Sequence, residues 1–108
     1  MKLGTKRKIG ILLDRGLKWG HGPLRFFAQP RAEGRPAMGI LISRKAYRKA
    51  VDRNRLRRLF REAWRQAPKG KPWDILISVQ KGIDLKRTKL KEAQEWLISG
   101  LKKRRLLD

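Results

Sequence analysis

The stretch RKAYRKAVDRNRLRRLFREAWR, residues 44–65, holds ten Arg and Lys against two acids, with apolar residues threaded through at regular intervals. Leu56, Leu59, Phe60, Ala63 and Ala67 recur at i, i+3, i+4, i+7 and i+11, the stripe of an amphipathic helix with one buried face. At roughly 100° per residue, Asn54, Arg57, Arg58, Arg61 and Arg65 fall on the flank and back of that stripe. The spacing predicts a helix that buries one side in a core and offers the other as a dense guanidinium surface.

A solvated charged helix interleaves both signs as i, i+4 pairs, and here the main such pair is Arg58 with Glu62. Unpaired guanidiniums crowded on one face repel one another unless an external polyanion compensates them. Arginine forks also suit phosphate oxygens and guanine edges better than lysine does. The pattern therefore points to a nucleic-acid-binding face rather than to a merely soluble one.

Outward from this helix, Ala37 to Ser43 reads as the strongest strand of the chain. Before it, Leu24-Arg25-Phe26-Phe27-Ala28 reads as a strand closed by Pro30, and Arg31 to Pro36 as the loop of a hairpin. Trp19-Gly20-His21-Gly22-Pro23 is loop by composition. Thr5 to Arg15 reads as a short helix, with Thr5 as a cap and Gly16 as its stop. The basic helix runs from about Lys49 to Gln66 and is ended by Pro68 and Gly70. Trp73 to Val79 is a buried-type strand. A last helix runs from about Lys86 or Lys89 toward Lys103, with Asp84 or Thr88 as its cap. The order α-β-β-α-β-α describes an α+β fold, a two-layer sandwich of helices on a small sheet, in a single domain over residues 1–108. The strand–helix–strand unit through the basic helix invites a parallel crossover, whose hand the residues leave open.

Composition narrows the function classes. There are 30 Lys and Arg against 9 Asp and Glu, a formal charge of +21, so a polyanionic partner is the natural inference. A hydrophobic content of 40% with four Trp argues against a disordered basic tail. The chain has no Cys, hence no disulfide framework and no thiolate metal site, which suits a reducing cytoplasm. The apolar run Ile9 to Leu13 is too short for a signal-peptide core, and nothing approaches a transmembrane length. No helix-turn-helix spacing or dimer seam argues for DNA.

A nuclease centre made by the protein alone is also disfavoured. Metal-assisted phosphodiester cleavage needs convergent carboxylates, and general acid–base cleavage usually wants His or a poised Lys. The single histidine, His21, lies in a predicted loop. Asp14, Asp52, Glu62, Asp74, Asp84 and the Glu92–Glu95 pair are scattered over different elements.

The order of residues around the basic helix is more specific than its charge. Lys49-Ala50-Val51-Asp52-Arg53-Asn54-Arg55-Leu56-Arg57-Arg58-Leu59-Phe60-Arg61-Glu62 resembles the signature of the bacterial ribonuclease P protein subunit. In that family a strand end is followed by Ala-Val and then by Arg-Asn-x-x-Lys/Arg-Arg-x-x-Arg on a helix. Ile40-Leu41-Ile42-Ser43-Arg44-Lys45 supplies the strand end. One departure is Arg48, where the family often has Gly, so the turn into the helix is expected to differ.

The resemblance implies a ribosomal protein S5 domain 2-like fold with a left-handed βαβ crossover. It also implies that the chemistry belongs to a catalytic RNA, which removes the 5′ leader of precursor tRNA with Mg²⁺, and that the protein alone binds no cofactor. The partners implied are the ribonuclease P RNA and precursor tRNA, with no membrane and no DNA. The surface assigned to the catalytic RNA comprises Arg53, Asn54, Arg57, Arg58, Arg61 and Arg65, with Arg44, Lys45 and Lys49 at its entrance. Asn54 has a second reading, in which its side chain bonds backbone and orients the helix start. A leader-binding cleft between the first helix and the sheet is implied at Arg7, Lys8, Ile9, Leu13, Arg25, Phe26 and Phe27. Ile9 and Leu13 stand where the family usually has Phe, and one of Phe26 and Phe27 is expected to restore a stacking surface. A ribosomal or ribosome-associated RNA-binding protein is the competing reading, of similar size and charge.

Overall fold

The computed structural model describes residues 6–31, 34–68 and 70–107. Thr5, read as a helix cap, lies outside them. The elements are α1 (Lys6–Arg15), β1 (Leu17–His21), β2 (Leu24–Pro30), β3 (Ala37–Ile42), α2 (Ala50–Gln66), β4 (Trp73–Val79) and α3 (Leu90–Lys103). The strands form one mixed sheet in the order β1-β2-β4-β3. This is the α+β class expected, with one strand more than the sequence pattern suggested.

The extra strand is β1, which includes Trp19, Gly20 and His21 and pairs antiparallel with β2. Its glycines made the segment read as loop. Gly22, at φ 57°, instead makes the tight turn to β2, and a Cβ there would stand 2.9 Å from Cδ1 of Trp96. A second difference concerns β2 and β3. They are not the two arms of a hairpin, because β4 lies between them, antiparallel to β2 and parallel to β3. Ile75, Leu76 and Ile77 are buried in succession, so β4 needs cover on both faces and takes a central place. A parallel β3–β4 pair then requires a crossover, and α2 supplies it.

Strand alternation divides the side chains between two faces. Leu24, Phe26, Ala28, Met38, Ile42, Ile75, Ile77 and Val79 point to one face, where they meet Leu56, Phe60, Ala63 and Trp64 of α2 and Ala93, Leu97 and Leu101 of α3. Leu59, on the predicted stripe, is only half-buried, and Trp64 joins the buried set. On the other face Leu12 of α1 is fully buried against Ala37 and Leu76, with Ile9, Leu13 and Phe27 around it. Burying one such leucine contributes about 1.5–3 kcal/mol. A further anchor holds α1: Lys8 Nζ lies 3.5 Å and Arg31 Nε 3.4 Å from the Asp74 carboxylate, the single buried charged side chain of the described residues.

Two caps differ from expectation. Neither Asp84 nor Thr88 caps α3; Asp84 instead closes the turn before it, its Oδ1 accepting from Lys86 N–H at 3.0 Å. The helix begins after Lys89, whose N–H donates to Glu92 Oε2 at 2.9 Å. Backbone N–H groups of Glu92 itself and of Lys89 hold the Glu92 carboxyl below its ordinary pKa.

Candidate nucleic-acid interface

α2 presents the expected cationic face because its apolar stripe is consumed by the sheet and α3. Asn54, Arg57, Arg58 and Arg61 line one shallow depression of about 390 Å³ on that face. Arg57 Nη1 donates to Asn54 Oδ1 at 3.4 Å, so Asn54 orients a neighbouring guanidinium rather than the helix backbone. Arg58 and Arg61 are exposed, and neither has a carboxylate within ion-pair distance among the described residues. This depression is wide enough to seat a phosphate and supplies several donors to it.

Glu62 pairs with Arg65, not with Arg58. Arg65 Nε donates to Glu62 Oε2 at 2.9 Å, and Gln66 Nε2 to Oε1 at 2.7 Å. The hydrogen bond from Arg65, then that from Gln66, hold the Glu62 carboxyl down at about 2. Gln66 in turn accepts from Gln94 Nε2 of α3 at 2.9 Å. Arg65 thus belongs to a compensated network at one end of α2, apart from the depression.

Arg53 is engaged too. Its Nη1 donates to the carbonyls of Tyr47 and Arg48, each at 2.8 Å. The intervening loop carries Arg44, Lys45, Arg48 and Lys49, all exposed. Lys45 N–H bonds Ser43 Oγ at 3.0 Å and Tyr47 N–H bonds the Ser43 carbonyl at 3.0 Å, so the loop is folded on itself. Arg48 has no left-handed backbone, since Arg105 is the one non-glycine with positive φ among the described residues. The turn into α2 therefore accepts a side chain at the position where the resemblance led to an expectation of glycine.

The second candidate surface lies between α1 and the sheet. Arg25 and Phe27 of β2 share the α1 side with Leu41 of β3 and Ser78 of β4. α1 covers the end of this face near Asp74 and leaves Leu41, 39% exposed, beyond it. Of the two phenylalanines it is Phe27, half-buried, that reaches this groove. Phe26 is fully buried on the opposite face, stacked on Trp19 with centroids 5.2 Å apart. It therefore takes no part in the groove. Ile9 and Leu13 border the groove as half-buried aliphatics, Arg7 is exposed at its side, and Lys8 is committed to Asp74.

His21 sits half-buried in β1, on the α3 side of the sheet and away from both surfaces. No cluster of three or more His, Cys, Asp or Glu is placed to hold a metal among the described residues. No helix there is long and apolar enough to cross a membrane. Sequence reading missed the Asp74 anchor and the Arg53 and Tyr47 bonds. All three depend on partners distant in the chain or on backbone carbonyls, which leave no trace in residue spacing.

Comparison with known proteins bears on the family and the fold. A family model described as Ribonuclease P matches residues 1–103. The ribonuclease P protein component of Salmonella arizonae is 39% identical over 99 residues, covering 90% of this chain and 83% of that protein. That of Chromohalobacter salexigens is 44% identical over 66 residues, covering 59% of this chain and 52% of the relative, about half its length. The solved structure of the RNase P protein from Thermotoga maritima has a TM-score of 0.83 at 24% identity, covering 95% of this chain and 96% of that one. The Staphylococcus aureus RNase P protein gives 0.79 at 18%, covering 99% and 97%, a likeness of fold.

Proposed function

The chain belongs to the ribonuclease P protein family, and from that premise we propose that it is the protein subunit of the enzyme that removes the 5′ leader from precursor tRNA. In this reading the α2 face binds the ribonuclease P RNA, the groove beside α1 holds the leader, and the RNA carries the chemistry. The carrying observation is the depression lined by Asn54, Arg57, Arg58 and Arg61, with its guanidiniums unneutralised.

Physical chemistry makes the assistance intelligible. Two large RNAs repel each other, and a domain of formal charge +21 between them lowers that repulsion and the demand for divalent cations. Phosphate and shape contacts dominate on such a face, because side chains cannot read the deep groove of helical RNA. In the groove, Phe27 offers a stacking surface and Arg25 a phosphate partner for single-stranded leader. Ile9 and Leu13 add apolar contact without the stacking worth roughly 1–3 kcal/mol per base.

Mg²⁺ enters through the RNA in this reading. Among the described residues the carboxylates are a poor fit for it: Glu62 is committed to Arg65, Asp74 is buried between Lys8 and Arg31, and the others form no cluster of three. Every step assigned to the protein is therefore binding or orientation. The cytoplasm, where tRNA is processed in bacteria, is the compartment proposed.

The test is cleavage of a precursor tRNA by a bacterial ribonuclease P RNA at low Mg²⁺, with and without the protein, against a basic control of equal charge. The expected result is faster multiple-turnover cleavage at the mature 5′ end with this protein alone. Parity with the control would favour a ribosomal or other RNA-binding role instead. Cleavage by the protein without the RNA would overturn both.

A further inference from the structure

Arg53 stands in the first turn of α2, where the helix dipole disfavours a cation. The same turn begins at Lys49 without a side-chain cap, a second unfavourable feature. The misplaced charge is offset by one arrangement: Arg53 reaches back over the helix start to the carbonyls of Tyr47 and Arg48, which accept from its guanidinium. Charge-assisted bonds to two successive carbonyls tie the end of the 43–49 loop to the helix that follows it.

The loop is pinned on its other side by Tyr47, which is 6% exposed. Its phenol donates to the Gln80 carbonyl at 2.7 Å and accepts from Ile83 N–H at 3.2 Å, in the segment between β4 and α3. Arg44, Lys45, Arg48 and Lys49 project from this pinned backbone into solvent. Four neighbouring cations would spread apart on a free loop, since nothing in the described residues neutralises them. Held still, they form a charge array of fixed spacing beside Arg57, Arg58 and Arg61.

Resting on the RNA-binding reading above, we propose that Arg53 is a positioning residue: it fixes the cationic loop 44–49 against α2 and supports RNA binding through that loop rather than by its own phosphate contact. This separates one arginine of the basic run from its neighbours. Arg58 and Arg61 act on the RNA directly, and Arg53 decides where the loop's cations stand. Lysine is a poor substitute, because its ammonium ends one bond short of the Nη1 that makes both contacts.

The experiment combines two readouts. Amide hydrogen exchange of residues 44–49 is followed in the free protein for wild type, Arg53→Ala, Arg53→Lys and Arg58→Ala. Affinity for a bacterial ribonuclease P RNA transcript is measured for the same proteins, each also in an Arg44→Ala/Lys45→Ala/Arg48→Ala background. Both Arg53 variants should speed loop exchange and weaken RNA binding, by about tenfold in the intact loop and by less than about twofold once those three of the four loop cations are gone. Arg58→Ala should leave exchange unchanged and cost the same affinity in both backgrounds. Unchanged exchange, an equal Arg53 penalty in both backgrounds, or rescue by Arg53→Lys would overturn the proposal in favour of a direct charge contact. Wild type binding this RNA no better than a control RNA would refute the function proposed above, while the free-protein exchange still judges the clamp.

Discussion

The indole N–H of Trp19 donates to the carbonyl of Gly100 at 2.8 Å, tying the edge strand β1 to the last turn of α3. The approach is close because Gly100 has no side chain. A Cβ at that position would clash with the Cζ edge of the Phe26 ring, which itself stacks on Trp19. One glycine in a helix thus lets a strand, a helix and an aromatic pair share a small volume.

Gly100→Ala should therefore destabilise the fold although alanine favours helices, because Phe26 must leave its place. Overpacking of this kind costs about 1–3 kcal/mol, against a helix-propensity gain of about 1. Urea unfolding would read the difference as a lowered midpoint. A raised midpoint would show that the ring yields freely.

Asp74→Ala leaves Lys8 and Arg31 beside a buried site without their shared carboxylate. Both cations are partly exposed and regain solvent, so losing the shared carboxylate should cost about 1–3 kcal/mol rather than the full penalty of a stranded buried charge. Thermal unfolding should fall accordingly, and limited proteolysis should find α1 first, since Leu12 would be its main remaining attachment. A normal melting temperature would remove the anchor from the account of α1.

Arg58→Ala with Arg61→Ala should weaken binding of ribonuclease P RNA and reduce the steepness of its salt dependence by about 1.4–1.8 in log–log slope, at about 0.7–0.9 per phosphate contact. Stability should be unaffected, as both side chains are exposed. Arg65→Ala should change the slope less, because Glu62 already holds that guanidinium. Equal slopes for the double variant and the wild type would take the depression out of RNA binding.

Phe26→Ala and Phe27→Ala separate core from groove. The first should cost about 3–5 kcal/mol of stability, as for other buried aromatics. The second should spare most of the stability and lower the affinity advantage of precursor tRNA over mature tRNA. The reverse pattern would reassign the two rings.

The Glu62 carboxyl, held at about 2 chiefly by its bond from Arg65, titrates below its ordinary 4.5. A depressed folded-state pKa contributes stability above the unfolded value and loses it as pH falls. The contribution should fade between about pH 4.5 and 2 in the folded chain, and Glu62→Gln should flatten that part of the stability profile. The group is solvent-exposed, so a small change is expected, read best by NMR titration of the Glu62 side chain.

The basic helix, the strong strand before it, the buried strand β4 and the terminal helix were legible because each carries a local period. β1 was not, because its glycines mimic a loop and its indole anchor, Gly100, lies far along the chain. The family signature placed Arg53, Asn54, Arg57, Arg58 and Arg61 together on one element, but residue spacing treats all five alike. By itself the sequence determined the α+β class, the cationic face and the demand for a polyanion, since periodicity and net charge are properties of neighbours in the chain. Tertiary structure alone decided that β4 parts β2 from β3, that Phe27 and not Phe26 reaches the groove, and that Arg53 turns back to the loop carbonyls. Those choices follow from which buried surfaces and unpaired backbone groups meet in space, and a linear order of residues does not contain them.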